Sequence, residues 1–208
     1  MATSSADGAG GGPFQDGYPV VLRLSGRCVL VVGGGAVAAR KVQGLLAAGA
    51  DVTVIAPELS PEMDALRPRL TVEQREYRAG EAAGFRLVVT ATDDAVVQQR
   101  VYDDAEAAGV WVNAADDPAR CSFTLPAVAR NGPVVVAVST QGASPALASG
   151  LRDRIAAALP PDLDRIAAEL ARRRRDLRDR GISTESVDWS AQIAALLGER
   201  RDGPDGPV

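Results

Sequence analysis

Residues 27–50 constrain the fold of this chain more than any other stretch. RCVLVV, at 27–32, is short and almost wholly apolar, as expected of a strand buried on both faces. Gly33, Gly34 and Gly35 follow, and then AVAARKVQGLLAAGA, a helix former that ends near Gly49. Gly33-x-Gly35-x-x-Ala38 therefore lies between a buried strand and a helix, the context in which this spacing carries meaning. The first glycine permits a tight turn, the second lets backbone approach a diphosphate, and the small third residue lets helix and strand pack closely. Unpaired N–H groups at the helix start favour an anion. Gly33, Gly35, Ala36, Val37 and Ala38 are accordingly assigned to cofactor binding. A glycine-rich strand–helix turn without a ligand would have the same local sequence.

The rest of the chain extends this pattern. DVTVI at 51–55 reads as a second strand stopped by Pro57, the more polar 69–77 as a third, and 85–91 as a fourth. Residues 95–108 have helical composition, and 110–113 form another short strand. Such alternation predicts an α/β, Rossmann-type doubly wound parallel sheet. After Asp116 the pattern changes: 126–130 reads as a short helix and 133–139 as an isolated strand. Ser144-Pro145 then supplies an N-cap and a first-turn proline. Helices are expected from there to Pro160-Pro161, over 162–180, and near 187–197. The expected organisation is a disordered tail (1–17), a nucleotide-binding domain (18–125), a linking segment (126–158), a small C-terminal helical region (159–200) and a second disordered tail (201–208).

Composition removes several function classes. The net charge of -4 argues against a nucleic-acid binder, which needs a basic surface. No apolar stretch approaches the roughly 20 residues that span a bilayer, so no membrane partner is expected. The chain has 0 histidines, which removes the commonest general base and the commonest metal ligand together. No resident metal site is expected. Two cysteines, Cys28 and Cys121, make no disulfide framework, so a reducing cytoplasm is the easier reading. Glu58, just beyond the second strand, is the candidate for the cofactor ribose, although its spacing is loose. No arginine stands there to receive a 2′-phosphate, which favours NAD over NADP.

Several segments in order resemble the precorrin-2 dehydrogenase family, also described as the sirohaem synthase N-terminal domain. They are Tyr18-Pro19 with the LRL that follows, VLVVGGGAVAARK, TVIAPE, TATDD with QRV downstream, NAADDP, CSFTLPA and VAVSTQGASPALA. The resemblance implies an NAD-binding domain, a dimerisation segment over 126–158, a C-terminal helical region and a homodimer. It implies oxidation of the tetrapyrrole precorrin-2 to sirohydrochlorin, with ferrous iron insertion as a further activity of some members. Nothing after Arg200 leaves room for the methyltransferase domain of the larger synthases, so the stand-alone form is expected.

The same resemblance places the catalytic aspartate at Asp116 in NAADDP, with Asp117 as the adjacent alternative. A carboxylate there can take the proton that leaves the macrocycle; aspartates before Pro118 are also ordinary turn formers. Thr92 and Asp93, ending a predicted strand, are assigned to the nicotinamide side, with Asn113 close to the same edge. The eight carboxylates of the substrate call for arginine forks, and Arg120 and Arg130 are the first candidates. Arg40 and Lys41 match the family but sit where the helix can equally expose them, and Arg172 to Arg175 read as a solvated helix face. Thr140 and Ser144 are assigned to the substrate loop, where Thr140 and Gln141 replace the commoner serine and glycine. The alternatives are a ferrochelatase that binds NAD only vestigially and an NAD-sensing regulatory domain.

Overall fold

A computed structural model describes residues 17–198. Its first five strands are β1 (Cys28–Val32), β2 (Asp51–Ile55), β3 (Thr71–Glu73), β4 (Leu87–Thr90) and β5 (Trp111–Ala114). They form one parallel sheet in the order β3-β2-β1-β4-β5, the Rossmann arrangement, in which strand order reverses beside β1. Helix α1 (Ala36–Ala47) and the short α2 (Pro61–Asp64) lie on one face, where Val29, Val31, Ala38, Val42, Val54, Met63 and Val89 form a buried core. Helix α3 (Ala95–Ala108) covers the other face, with Leu30, Val88, Val101, Ala105 and Val112. Strands β1 and β4 are buried almost throughout because both faces are covered.

Between β3 and β4 the chain crosses without a helix. Tyr77 fills that place: its hydroxyl donates to Asp104 Oδ2 (2.8 Å) and accepts from the Ala82 amide (3.0 Å). Burial, with the Asp104 bond adding to it, holds the phenol far above its usual pKa. The expected strand over 69–77 is much shorter, since Arg67–Arg69 form a 3-10 turn and pairing with β2 covers only Thr71–Glu73. Helix α2 carries no apolar period to announce it, but Ser60 caps it and Pro61 occupies its first turn.

The chain divides into two compact units that meet between Leu125 and Pro126. The second opens with β6 (Ala127–Asn131) and β7 (Val134–Val138), an antiparallel hairpin. This corrects two expectations, the short helix over 126–130 and the isolated strand over 133–139. Ala127, Ala129 and Asn131 alternate inward opposite Val138, Val136 and Val134, and a two-residue loop brings the strands together. Gly132 takes that loop's positive φ of 55°. The partner strand's hydrogen bonds outweigh the weak helical preference of an Ala-Val-Ala-Arg run.

Helix α4 (Pro145–Ala158), capped by Ser144, packs on the hairpin, and α5 (Leu163–Asp179) and α6 (Trp189–Leu197) follow. Arg172 and Arg173 both pair with Glu169 on α5, which holds that carboxyl down at about 2, and Arg173 also reaches Gln192 of α6. Among the described residues, no helix is long and apolar enough to cross a membrane. The expected tails, 1–17 and 201–208, lie outside the described residues apart from Gly17.

Candidate active site

The site is built at the carboxyl ends of β1, β4 and β5, where the reversal of strand order parts the connecting loops. Gly33 follows β1 with φ 123°, and a β-carbon there would overlap the Ala91 carbonyl, 2.7 Å from its carbon atom. A β-carbon at Gly34 would overlap the carbonyl oxygen of Glu58. Gly35 differs: a β-carbon there would meet nothing within 4 Å. Gly35 is also the N-cap of α1, and among the described residues no side chain caps that helix. Ala38 is fully buried, letting the helix settle on the sheet, while Gly35, Ala36 and Val37 are exposed. The result is a bare helix N-terminus with open space before it, a fit for the diphosphate of a dinucleotide.

Around this cradle the other assigned residues take distinct places. Glu58 is exposed in the loop after β2. The end of β3 lies beside that loop, where the Ala56 amide donates to the Glu73 carbonyl (3.2 Å). Arg75, just beyond, is engaged by both Glu73 and Glu81. Arg75 in turn holds the Glu81 carboxyl below its usual pKa. After β4, Thr92 Oγ1 accepts from the Asp94 amide (3.2 Å), and Asp94, not Asp93, caps α3 through the Val96 and Val97 amides. Asp93 is left exposed. Thr90 and Asn113 are both buried at this edge, and Thr90 Oγ1 and Asn113 Oδ1 have no hydrogen-bond partner among the described residues. Buried polar atoms without partners are rare and mark this edge as one that can receive polar ligand groups.

Asp116 follows β5 in a turn closed by the Asp117 amide on the Ala114 carbonyl (3.5 Å). Its φ of 60° puts it at the position where such a turn favours glycine or asparagine, a conformation that costs a non-glycine residue about 1 kcal/mol or more. The neck is held from several sides. The Ala115 amide donates to Thr90 O (2.8 Å), and Gln98 of α3 reaches the Ala115 carbonyl (3.5 Å). Asn113 and Cys121 form an antiparallel bridge, Asn113 Nδ2 donates to Phe123 O (2.9 Å), and Ser122 Oγ accepts from the Val112 amide (2.7 Å). The Asp116 side chain itself remains exposed.

Asp117 points elsewhere: it pairs with Arg120, whose Nε also donates to Gln99 Oε1 (2.7 Å). Arg120 therefore braces the loop and is not a free guanidinium. Lys41 is half-buried, whereas Arg40 is exposed. Burial lowers the Lys41 ammonium from its usual pKa, and the Asp116 carboxylate opposes that shift. Lys41 falls three residues after buried Ala38, a spacing that marks it as inward-facing. Gln98 and Gln99 gave no such signal, since their role depends on a loop that meets α3 only after folding.

In the second unit, Arg130 is exposed on β6. Thr140 Oγ1 donates to the Ser144 carbonyl and accepts from the Ser144 amide, both at 3.0 Å, which closes the 140–144 loop. Ser144 Oγ accepts from the Leu147 amide (3.2 Å) as the helix cap. Among the described residues, no group of three His, Cys, Asp or Glu side chains is placed to hold a metal.

Comparison with known proteins places the chain in a family. Residues 20–127 match an NAD(P)-binding family, and residues 131–158 match the central region of sirohaem biosynthesis proteins. A siroheme synthase of Nitrosococcus oceani is 40% identical over 186 residues, covering 88% of this chain and 40% of that protein. One from Neisseria meningitidis serogroup C is 44% identical over 194 residues, covering 89% of this chain and 40% of its own length. The chain thus spans about 40% of the length of these relatives. The solved structure of SirC, a precorrin-2 dehydrogenase, superposes with a TM-score of 0.68 at 29% identity, covering 89% of each chain. A nicotinamide dinucleotide is the cofactor that both the cradle and these matches support. The chain belongs to the precorrin-2 dehydrogenase and sirohaem synthase N-terminal domain family.

Proposed function

We propose that this protein oxidises precorrin-2 to sirohydrochlorin with NAD. The observation that carries the reading is Asp116, an exposed carboxylate held on a braced turn at the sheet edge that also bears the bare α1 N-terminus. The amides of Ala36, Val37 and Ala38 would hold the diphosphate, Glu58 the ribose, and Thr92 and Asp93 the nicotinamide side. When bound, the nicotinamide supplies the two-electron acceptor. Asp116 then takes the proton that leaves the macrocycle, so precorrin-2 and NAD⁺ give sirohydrochlorin, NADH and a proton. Arg75, just beyond β3, is engaged by Glu73 and Glu81 rather than held ready for a 2′-phosphate, which supports NAD over NADP.

Arg130 is proposed as a partner for substrate carboxylates. Arg120 can serve only by exchanging Asp117 for the substrate, and Thr140 and Ser144 contribute the backbone of their loop. Residues 18–125 act as the cofactor domain, 126–158 as the dimerisation segment and 159–200 as the helical appendage. Exposed Val128, Val135, Leu147, Leu151 and Ile155 in the second unit support a homodimer. The two free thiols suit a reducing cytoplasm. Ferrous iron insertion is a second reading, favoured by the solvent access of Asp116, which can also accept displaced pyrrole protons.

The test is an anaerobic assay with precorrin-2 and iron omitted, following NADH or NADPH. NAD-dependent sirohydrochlorin formation is expected. Folded protein that binds NAD without turnover would exclude the dehydrogenase. Sirohaem formation from sirohydrochlorin and ferrous iron, above the rate without protein, tests the second reading.

A further inference from the structure

Cys121 contacts backbone atoms at both ends of the turn that carries Asp116. Its Sγ accepts from the Ala114 amide (3.2 Å) and stands within donating distance of two carbonyls, Ala114 O (3.3 Å) and Asp117 O (3.2 Å). Asn113 Nδ2 approaches the same sulfur at 3.5 Å. Residues 114 and 117 are the two ends of the turn, and Asp116 between them stands in a left-handed conformation that a free chain would leave readily. Ala114 is buried at 3% exposure, so without the sulfur its amide would lose a partner that water cannot readily replace.

We propose that Cys121 is a positioning residue for the dehydrogenation, its thiol clamping the 114–117 turn so that the Asp116 carboxylate is presented to the departing proton. The proposal rests on the reading of Asp116 as the base. A thiol suits the place because one sulfur both accepts from an amide and donates to a carbonyl, at the longer range that sulfur contacts have. Burial raises the thiol above its usual pKa, which keeps the donating proton at neutral pH. Serine keeps the donor and acceptor with a shorter bond and preserves most of the clamp. Alanine removes it.

The test is a double-mutant cycle on the full chain in the anaerobic precorrin-2 assay, with NAD affinity measured by calorimetry. Cys121→Ala is expected to lower kcat by about tenfold, the scale of a small misplacement of a reacting group. NAD affinity should stay within twofold, and Cys121→Ser should recover most of the rate. In an Asp116→Asn background, Cys121→Ala should change the residual rate by less than twofold, because no carboxylate is left to position. Wild-type kcat in Cys121→Ala would overturn the proposal while leaving the base assignment intact. So would an undiminished tenfold loss in the Asp116→Asn background, or a parallel loss of NAD affinity, since either describes a general structural role. Wild-type kcat in Asp116→Asn would overturn the base assignment, and the positioning role with it. If Cys121→Ala does not fold, the cycle is run with Cys121→Ser, whose smaller loss must likewise vanish in the Asp116→Asn background.

Discussion

Gly33 and Ala91 meet where strand order reverses: no β-carbon fits at Gly33, because the Ala91 carbonyl occupies its place. Two bonds hold the approach, Gly33 N to Ile55 O (3.0 Å) and Ala91 N to Val32 O (2.8 Å). Gly35, two residues on, has open space where a side chain would be. The two glycines therefore differ: Gly33 meets a backbone constraint, whereas Gly35 is the one proposed for the ligand.

Substitution separates them. Gly33→Ala combines a positive-φ penalty with a backbone overlap and is expected to cost roughly 2 kcal/mol or more, read as a fall in Tm and in soluble yield. Gly35→Ala should leave Tm within a few degrees while weakening NAD binding by about tenfold or more, since the methyl enters space needed for close diphosphate approach. Equal NAD affinity in wild type and Gly35→Ala would remove Gly35 from the cofactor site.

At Asp116 conformation and chemistry are expected to oppose each other. Asp116→Gly relieves the strain of φ 60° and should stabilise the cofactor domain by up to about 1 kcal/mol, while turnover falls by about 100-fold or more. Asp116→Asn should retain the turn and lose the same activity. A chemical denaturation curve and an initial-rate assay on the same preparations decide both points. Destabilisation by glycine would show that the aspartate side chain itself supports the turn.

The Arg75–Glu81 pair predicts a pH dependence with a definite sign. Arg75 holds the folded-state pKa of Glu81 below its unfolded value, so the stabilisation is complete above the unfolded carboxylate range. It is lost as pH falls through the lower, folded value. Glu81→Gln should therefore destabilise the domain at neutral pH by up to roughly 1 kcal/mol. The gap from wild type should close as both are acidified. Thermal melts of the two proteins from pH 7 to pH 3 test this, and a gap that widens on acidification would contradict it.

Leu151 and Ile155 lie four residues apart on α4 and are 37% and 40% exposed. If a second copy covers this stripe, Leu151→Asp with Ile155→Asp should dissociate the protein into monomers that remain folded. Light scattering after gel filtration reads the mass. A wild-type protein that is monomeric at micromolar concentration would end the dimer reading.

The glycine turn between β1 and α1 was legible in the sequence because it is local. A buried strand, a glycine turn and a helix occupy consecutive residues, and the glycine spacing states which atoms must come close. The helices over 95–108 and from Ser144 were legible for the same reason, since their caps lie beside them. The first strand of the β6–β7 hairpin was not legible, because inward alternation in Ala-Val-Ala-Arg-Asn has meaning only opposite its partner. The bracing of Arg120 was not legible, because nothing in the sequence shows Gln99 approaching from α3.

The sequence by itself determined the alternation of strands and helices, the glycine turn after β1 and the candidate carboxylate after β5, all set by preferences acting over a few residues. Tertiary structure decided the conformation of that carboxylate. The Asp116 turn is left-handed because β5 returns through Asn113 and Cys121, Thr90 of β4 receives the Ala115 amide, and Gln98 of α3 reaches the same residue. Those contacts come from separate elements, and only packing the sheet and its helices together brings them to one turn.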